Sequence, residues 1–219
     1  MKINKNLFLE NTIPQISEKI ISNEITNTDI FNVVSNNYKL HEPSTRAWTF
    51  FDTEEIQLSK KNGILNNIPF GVKDIFNTEK MPTEMGSPIW KNYMPNNNAR
   101  AVDSLILKGA VPVGKTVTAE FAVHYLNKTL NPHDKNRTPG TSSSGSAAAV
   151  AVGMVPFALG SQTAGSIIRP SSFCGIWGMK PSFGLIPRTG ILKTTDSLDT
   201  IGFLTSHGGN LKILLDALR

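Results

Sequence analysis

The chain has little with which to bind a metal or close a disulfide. It holds one cysteine and four histidines among 219 residues. A lone Cys174 excludes an intrachain disulfide. Its apolar setting, Ser172-Phe173-Cys174-Gly175-Ile176-Trp177, predicts a buried free thiol. His41, His124, His133 and His207 stand far apart with no zinc-ligand spacing, so no metal and no cofactor are expected. Their polar or helical contexts suit surface and capping positions better than a His-based nucleophilic site.

Long apolar runs are missing too. None approaches membrane-spanning length, and Met1–Asn11 lacks the apolar core of a signal peptide. A cytoplasmic protein without a membrane partner is the expectation. Lys and Arg number 22 against 17 Asp and Glu, a net charge of +5, but no consecutive basic run occurs. A dispersed excess describes a solvated surface, so no nucleic-acid partner is expected. The length suffices for one sizeable core.

What is present is an alternation of helix and strand signals. Ile13, Ile16, Ile20 and Ile21 share a helical face, with Thr12 and Gln15 spaced as a capping box. Ile30, Val33, Val34 and Tyr38 give a second stripe, with Thr28 as its cap. Ile68 to Lys73 reads as a short buried strand, and Pro69 favours a strand start or edge. Helices are predicted over Ala101–Lys108, Ala119–Tyr125 and Ala147–Val155, and strands over Ala110–Val113 and Phe157–Ser161. Asn127–Thr141 is a loop by composition. Leu211, Leu214, Leu215 and Leu218 make a final apolar helix face, capped by Asn210, that something must cover. The alternation predicts the α/β class. Residues 1–219 are read as one domain, with a helical lead-in to about residue 60 and a core from about 61 onward.

Gly109-Ala110-Val111-Pro112-Val113-Gly114-Lys115-Thr116 satisfies a phosphate-loop pattern. The context argues against it. A helix precedes Gly109, Ala-Val-Pro-Val is itself strand-like, and Pro112 lacks an amide to offer a phosphate.

Two clusters of small and hydroxyl residues carry more information. Pro139-Gly140-Thr141-Ser142-Ser143-Ser144-Gly145-Ser146 runs into Ala147-Ala148-Ala149-Val150, and Gly160-Ser161-Gln162-Thr163-Ala164-Gly165-Ser166 follows. A flexible linker would not enter a buried helix, so the pair reads as one site built from two loops. One of the hydroxyls could also cap that helix. A serine nucleophile needs a base. With no constrained histidine, Lys73 is the best candidate, although local sequence alone favours a solvated strand-end lysine.

These segments resemble the amidase signature family of serine hydrolases. Gly140–Ser146 and Gly160–Ile167 match the two parts of its signature, and Ile68-Pro69-Phe70-Gly71-Val72-Lys73-Asp74 matches upstream. Phe173-Cys174-Gly175, Lys180-Pro181-Ser182-Phe183-Gly184 and Ser197-Leu198-Asp199-Thr200 match downstream. Gly114-Lys115-Thr116 with Glu120-Phe121-Ala122 is similar to another recurrent segment. The resemblance implies a mixed central β-sheet flanked by helices. It implies Lys73 as base, Ser142 on a cis peptide as proton relay, and Ser166 as nucleophile. It further implies an oxyanion hole from the backbone amides of Thr163, Ala164, Gly165 and Ser166, with Ser143, Gln162 and Arg169 supporting the site. The substrate would be a small-molecule amide, cleaved through a seryl acyl-enzyme.

The match has departures. Thr141, Ser144 and Ala164 replace glycines, which requires backbones without positive φ. Gln162 stands where Asp is frequent. Arg169 lies three residues after Ser166, with Ile168 in the more usual arginine position. Family members are longer, and their second half completes the sheet and much of the pocket. The expectation is therefore a fold incomplete on its C-terminal side, weak activity, and association as a homodimer or with a missing C-terminal half. Two other readings stand beside the amidase. One is the glutaminase subunit of a tRNA-dependent amidotransferase, ranked second because Arg46-Ala47-Trp48-Thr49-Phe50 looks more like the free amidases. The other is an inactive remnant that keeps only the fold.

Overall fold

The computed structural model describes residues 7–58 and 63–219. The helices are α1 (Leu7–Glu10), α2 (Ile13–Ile21), α3 (Asn27–Thr45), α4 (Glu54–Leu58), α5 (Arg100–Leu107), α6 (Ser144–Ala151), α7 (Ile168–Phe173) and α8 (Leu211–Leu218). The strands are β1 (Trp48–Phe51), β2 (Pro69–Lys73), β3 (Val111–Thr116), β4 (Phe157–Gln162), β5 (Trp177–Met179) and β6 (Thr200–Thr205). They form a six-stranded mixed sheet in the order β1-β3-β2-β4-β6-β5. β2 pairs in parallel with both β3 and β4, and the remaining pairs are antiparallel. The α/β expectation holds.

The lead-in helices follow their caps. Thr12 and Gln15 form the capping box of α2, which buries Ile13 and Ile16. Ile21 is 71% exposed, because it falls on the last turn and off the covered face. α3 starts earlier than expected. Its cap is Thr26, in a reciprocal box with Asp29, rather than Thr28. The carboxylate of Asp29 accepts the Thr26 N–H, a closure Thr28 has no partner to make. The boundary drawn near residue 60 lies outside the described residues.

Pro69 opens β2, where its missing N–H costs least, although β2 itself is central and wholly buried. The phosphate-loop pattern is no loop: Val111–Thr116 is strand β3. The predicted helix over Ala119–Tyr125 is also absent. Phe121 and Ala122 have φ of 49° and 59°, which leaves only a 3-10 turn at Glu120–Ala122.

α6 begins at Ser144 and ends at Ala151, earlier at both ends than its Ala/Val pattern suggested. Small residues let it lie against the strands. A Cβ on Gly145 would stand 2.2 Å from the Ala47 carbonyl oxygen and 2.3 Å from the Val117 nitrogen. Phe70 and Phe157 stack with ring centroids 5.3 Å apart on β2 and β4. α8 closes the core with Leu214 and Leu218, which answers what covers its apolar face. Asn210 does not cap α8. Its Oδ1 instead accepts the Ile13 N–H at 2.7 Å, and its Nδ2 donates to Thr205 Oγ1 at 2.9 Å. The side chain thus ties the start of α2 to the end of β6.

Candidate active site

The carboxyl ends of β2, β3 and β4 converge, the usual place for a ligand in a sheet with parallel strands. Lys73 ends β2 and is fully buried. Lys73 Nζ donates to Ser142 Oγ at 2.7 Å and to Ser161 Oγ at 2.8 Å. Burial pulls its amine down from 10.5 to about 7, and the nearby charge of Asp199 opposes only part of that fall. The solvated lysine that local sequence favoured is therefore not found. Its stem is enclosed because β2 is flanked on both sides.

Ser142 lies just before α6, and the Thr141–Ser142 peptide is cis. Gly140 turns the chain into it with φ of 85°, where a Cβ would meet Pro170 Cα at 2.8 Å. Thr141, Ser144 and Ala164 are not among the residues with positive φ, so each tolerates its side chain where a glycine is commoner. The hydroxyls of this loop do not cap α6. Ser143 Oγ donates to the Ser161 carbonyl at 3.4 Å, and Ser146 Oγ to that of Leu159 at 2.9 Å. They bind the helix to β4 instead.

Ser166 lies on the turn between β4 and α7 and is 7% exposed. Its carbonyl accepts the Ser143 N–H at 3.3 Å, which holds the two serine loops side by side. No hydrogen bond joins the Ser166 and Ser142 hydroxyls. The structure thus brings Lys73 and Ser142 into direct contact and sets Ser166 beside them.

Gln162 organises that turn. Its Oε1 accepts the N–H groups of Ile167 and Ile168 at 2.8 and 2.9 Å, and its Nε2 donates to the Ala164 carbonyl at 3.0 Å. The third bond needs an amide, since a carboxylate at this position has no donor. No hydrogen bond within the described residues engages the N–H groups of Ala164, Gly165 and Ser166. Arg169 packs over the same turn. Its N–H donates to the Gly165 carbonyl at 2.9 Å, and its Nη1 reaches Thr141 Oγ1 at 3.4 Å.

Thr163 points to a residue to which the sequence reading gave no role. Its Oγ1 donates to Asp199 Oδ1 at 2.5 Å, and Asp199 also accepts from the N–H groups of Thr194 and Thr195. Burial raises the Asp199 carboxyl, but these hydrogen bonds outweigh it and hold the group below the ordinary range. Asp199 and Ser161 both lie in segments that carried the family resemblance. The sequence carries no signal for the Ser161–Lys73 contact, since strict alternation sets Ser161 on the face that Phe157 and Phe70 share and Lys73 on the opposite one. Among the described residues, no group of three or more His, Cys, Asp or Glu is placed to hold a metal ion. No described helix is long and apolar enough to cross a membrane.

Known proteins share this architecture. A family model described as Amidase matches residues 32–218. The glutamyl-tRNA(Gln) amidotransferase A subunit of Methanosarcina barkeri is 39% identical over 171 residues, covering 75% of this chain and 36% of that protein. The crystal structure of the corresponding A subunit from Thermotoga maritima matches with a TM-score of 0.89 at 34% identity, over 96% of this chain and 47% of that one. Native peptide amidase from Stenotrophomonas maltophilia matches with a TM-score of 0.86 at 27% identity, over 97% and 48%. The chain spans between 36% and 48% of the length of these three proteins.

Proposed function

The chain belongs to the amidase family, and from that premise we propose that it cleaves a carboxamide C–N bond through a seryl acyl-enzyme. The observation that carries this reading is the enclosed Lys73 amine, about 7 in pKa and 2.7 Å from Ser142 Oγ. A lysine that is neutral near neutral pH is a competent base.

In this reading Lys73 takes the Ser142 proton as Ser142 takes that of Ser166. The Ser166 oxygen attacks the amide carbon. Negative charge gathers on the carbonyl oxygen, and the amides of the 163–166 turn receive it. The proton then returns through Ser142 to the leaving nitrogen, the C–N bond breaks, and an amine or ammonia departs. Water attacks the ester by the same relay, which releases the acid and restores Ser166. The step needs the hydroxyls of Ser142 and Ser166 to close into contact. Catalytic hydrogen bonds commonly tighten only when substrate is bound, and the Ser143–Ser166 backbone link keeps the approach short.

A second reading is the glutaminase subunit of a tRNA-dependent amidotransferase. The names of the Methanosarcina and Thermotoga relatives favour it. The chemistry is the same, with glutamine as donor and a partner protein to receive ammonia. A fluorophosphonate probe tests the shared core. It should label the wild-type chain covalently and leave Ser166→Ala unlabelled. Equal, background labelling of both supports the inactive remnant. Ammonia release from glutamine, set against release from simple carboxamides, separates the two active readings.

A further inference from the structure

Ser161 lies on β4 with its register opposite Ile201 of β6. Its Oγ is 2.8 Å from Lys73 Nζ, a match for the 2.7 Å from Ser142. The Lys73 side chain is fully enclosed, and no other hydroxyl or carbonyl lies within hydrogen-bond reach of its amine among the described residues. A neutral amine has one lone pair and two N–H groups, and the direction of the lone pair decides which hydroxyl it can deprotonate.

We propose that Ser161 is a positioning residue that accepts one N–H of Lys73 and so turns the amine's lone pair toward Ser142. The inference rests on Lys73 acting as the base. Two features favour Ser161 as the anchor and Ser142 as the moving partner. Ser161 is held in the β4–β6 ladder, and its carbonyl also receives Ser143 Oγ at 3.4 Å. Ser142 sits in the loop whose next residue reaches the Ser166 turn. With Ser161 fixed, the amine has one remaining hydroxyl to face.

The charged groups around Lys73 are few. Asp199, ahead of β6, pulls the amine upward. Asp74 and Lys115, next along β2 and on β3, pair with each other at 3.4 Å. Removing the Ser161 hydroxyl takes away an acceptor that serves the ammonium more strongly than the amine. The amine should therefore titrate lower.

The test follows the Lys73 amine by NMR in protein carrying 15N-lysine, its signal assigned by its loss in Lys73→Met. Ser161→Ala should move the midpoint down by about half a pH unit or more. It should also slow fluorophosphonate labelling of Ser166 about tenfold. Ser161→Thr, which keeps the hydroxyl, should restore both. An unmoved midpoint in Ser161→Ala overturns the proposal. So does slow labelling that Ser161→Thr fails to rescue, which would mark a packing defect. Labelling that survives in Ser142→Ala and vanishes in Ser161→Ala would reverse the two roles. Wild-type protein that labels no faster than Ser166→Ala would sink the hydrolase reading, while the titration still decides what Ser161 does.

Discussion

Lys73 and Lys115 occupy opposite faces of adjoining strands and keep different company. Lys73 is in register with Thr116, so Lys115, one residue back on β3, points the other way. Lys73 meets two serine hydroxyls. Lys115 meets Asp74, the carbonyls of Phe76 and Pro82, and the hydroxyls of Thr78 and Thr83. Burial lowers both amines, Lys73 to about 7 and Lys115 to about 8, but only Lys115 has a carboxylate beside it and a cage of oxygens that holds the segment following β2.

The first consequence concerns pH. Acylation of Ser166 should rise with pH through a midpoint near 7, where Lys73 loses its proton. Lys73→Met should slow it at least ~100-fold. Lys73→Arg keeps the charge but gives up no proton, and it should fare as badly. Labelling rates across pH check this; a Lys73→Arg variant close to wild type would show that charge alone suffices. Stability carries the matching sign. Between about 7 and 10.5 the unfolded chain holds the Lys73 proton and the folded chain does not, so this group makes stability rise with pH in that window.

Lys115→Met should destabilise the fold by about 3–5 kcal/mol, because it leaves Asp74 and several carbonyls buried without their partner. Burial already pushes the Asp74 carboxyl up to about 6, and its Oδ2 has no hydrogen bond. Lys115→Met combined with Asp74→Leu should recover part of the loss. Urea unfolding of the two single variants and the double reads it. A double variant less stable than Lys115→Met alone would mean the cage oxygens, not the orphaned charge, set the cost.

Much of this was legible in the sequence, and the reason is local. The two hydroxyl clusters and the Lys73 strand are contiguous motifs, so resemblance located them. Thr12 and Gln15 signal their cap within four residues. What the sequence hid depends on distant partners. Lys73 is buried only because β3 and β4 flank β2. Asn210 looks like the cap of the helix after it, yet it binds a helix start near the other end of the chain. The start of α3 is a different case, because Thr26 and Asp29 are spaced as a local capping box that Thr28 lacks. The Ala119–Tyr125 pattern fails because two residues there adopt left-handed backbone.

Cys174 should resist modification in the folded protein. Its side chain is buried, and burial pushes the thiol up to about 12. Reactivity needs the thiolate. Iodoacetamide at pH 8 should leave it intact in the native chain and alkylate it fully in guanidinium, as intact mass will record. Rapid alkylation under native conditions would contradict the packing of α7.

Gly145→Ala should cost about 3 kcal/mol or more, since the new methyl would meet fixed backbone of Ala47 and Val117 rather than a mobile side chain. Thermal unfolding measures it. A loss within a few tenths of a kcal/mol would mean that α6 can shift away from the strands without penalty.

Gln162→Glu tests whether the amide is needed to shape the turn before Ser166. The change keeps both acceptor bonds to Ile167 and Ile168 but removes the donor to the Ala164 carbonyl. At pH 8 an ionised carboxyl would face that carbonyl in a site only 7% exposed. The loss should be about 1–3 kcal/mol, with slower Ser166 labelling as the turn distorts. Burial and the facing Ala164 carbonyl should outweigh the N–H donors of Ile167 and Ile168 and raise the introduced carboxyl in the folded state, so the unfolded chain should ionise first as pH rises. Stability must then fall between the unfolded and folded pKa values. At pH 5 the protonated acid can donate to Ala164 as the amide does. The gap between variant and wild type in urea midpoint should thus be small at pH 5 and wide at pH 8. An equal gap at both pH values would show that the turn does not depend on the donor.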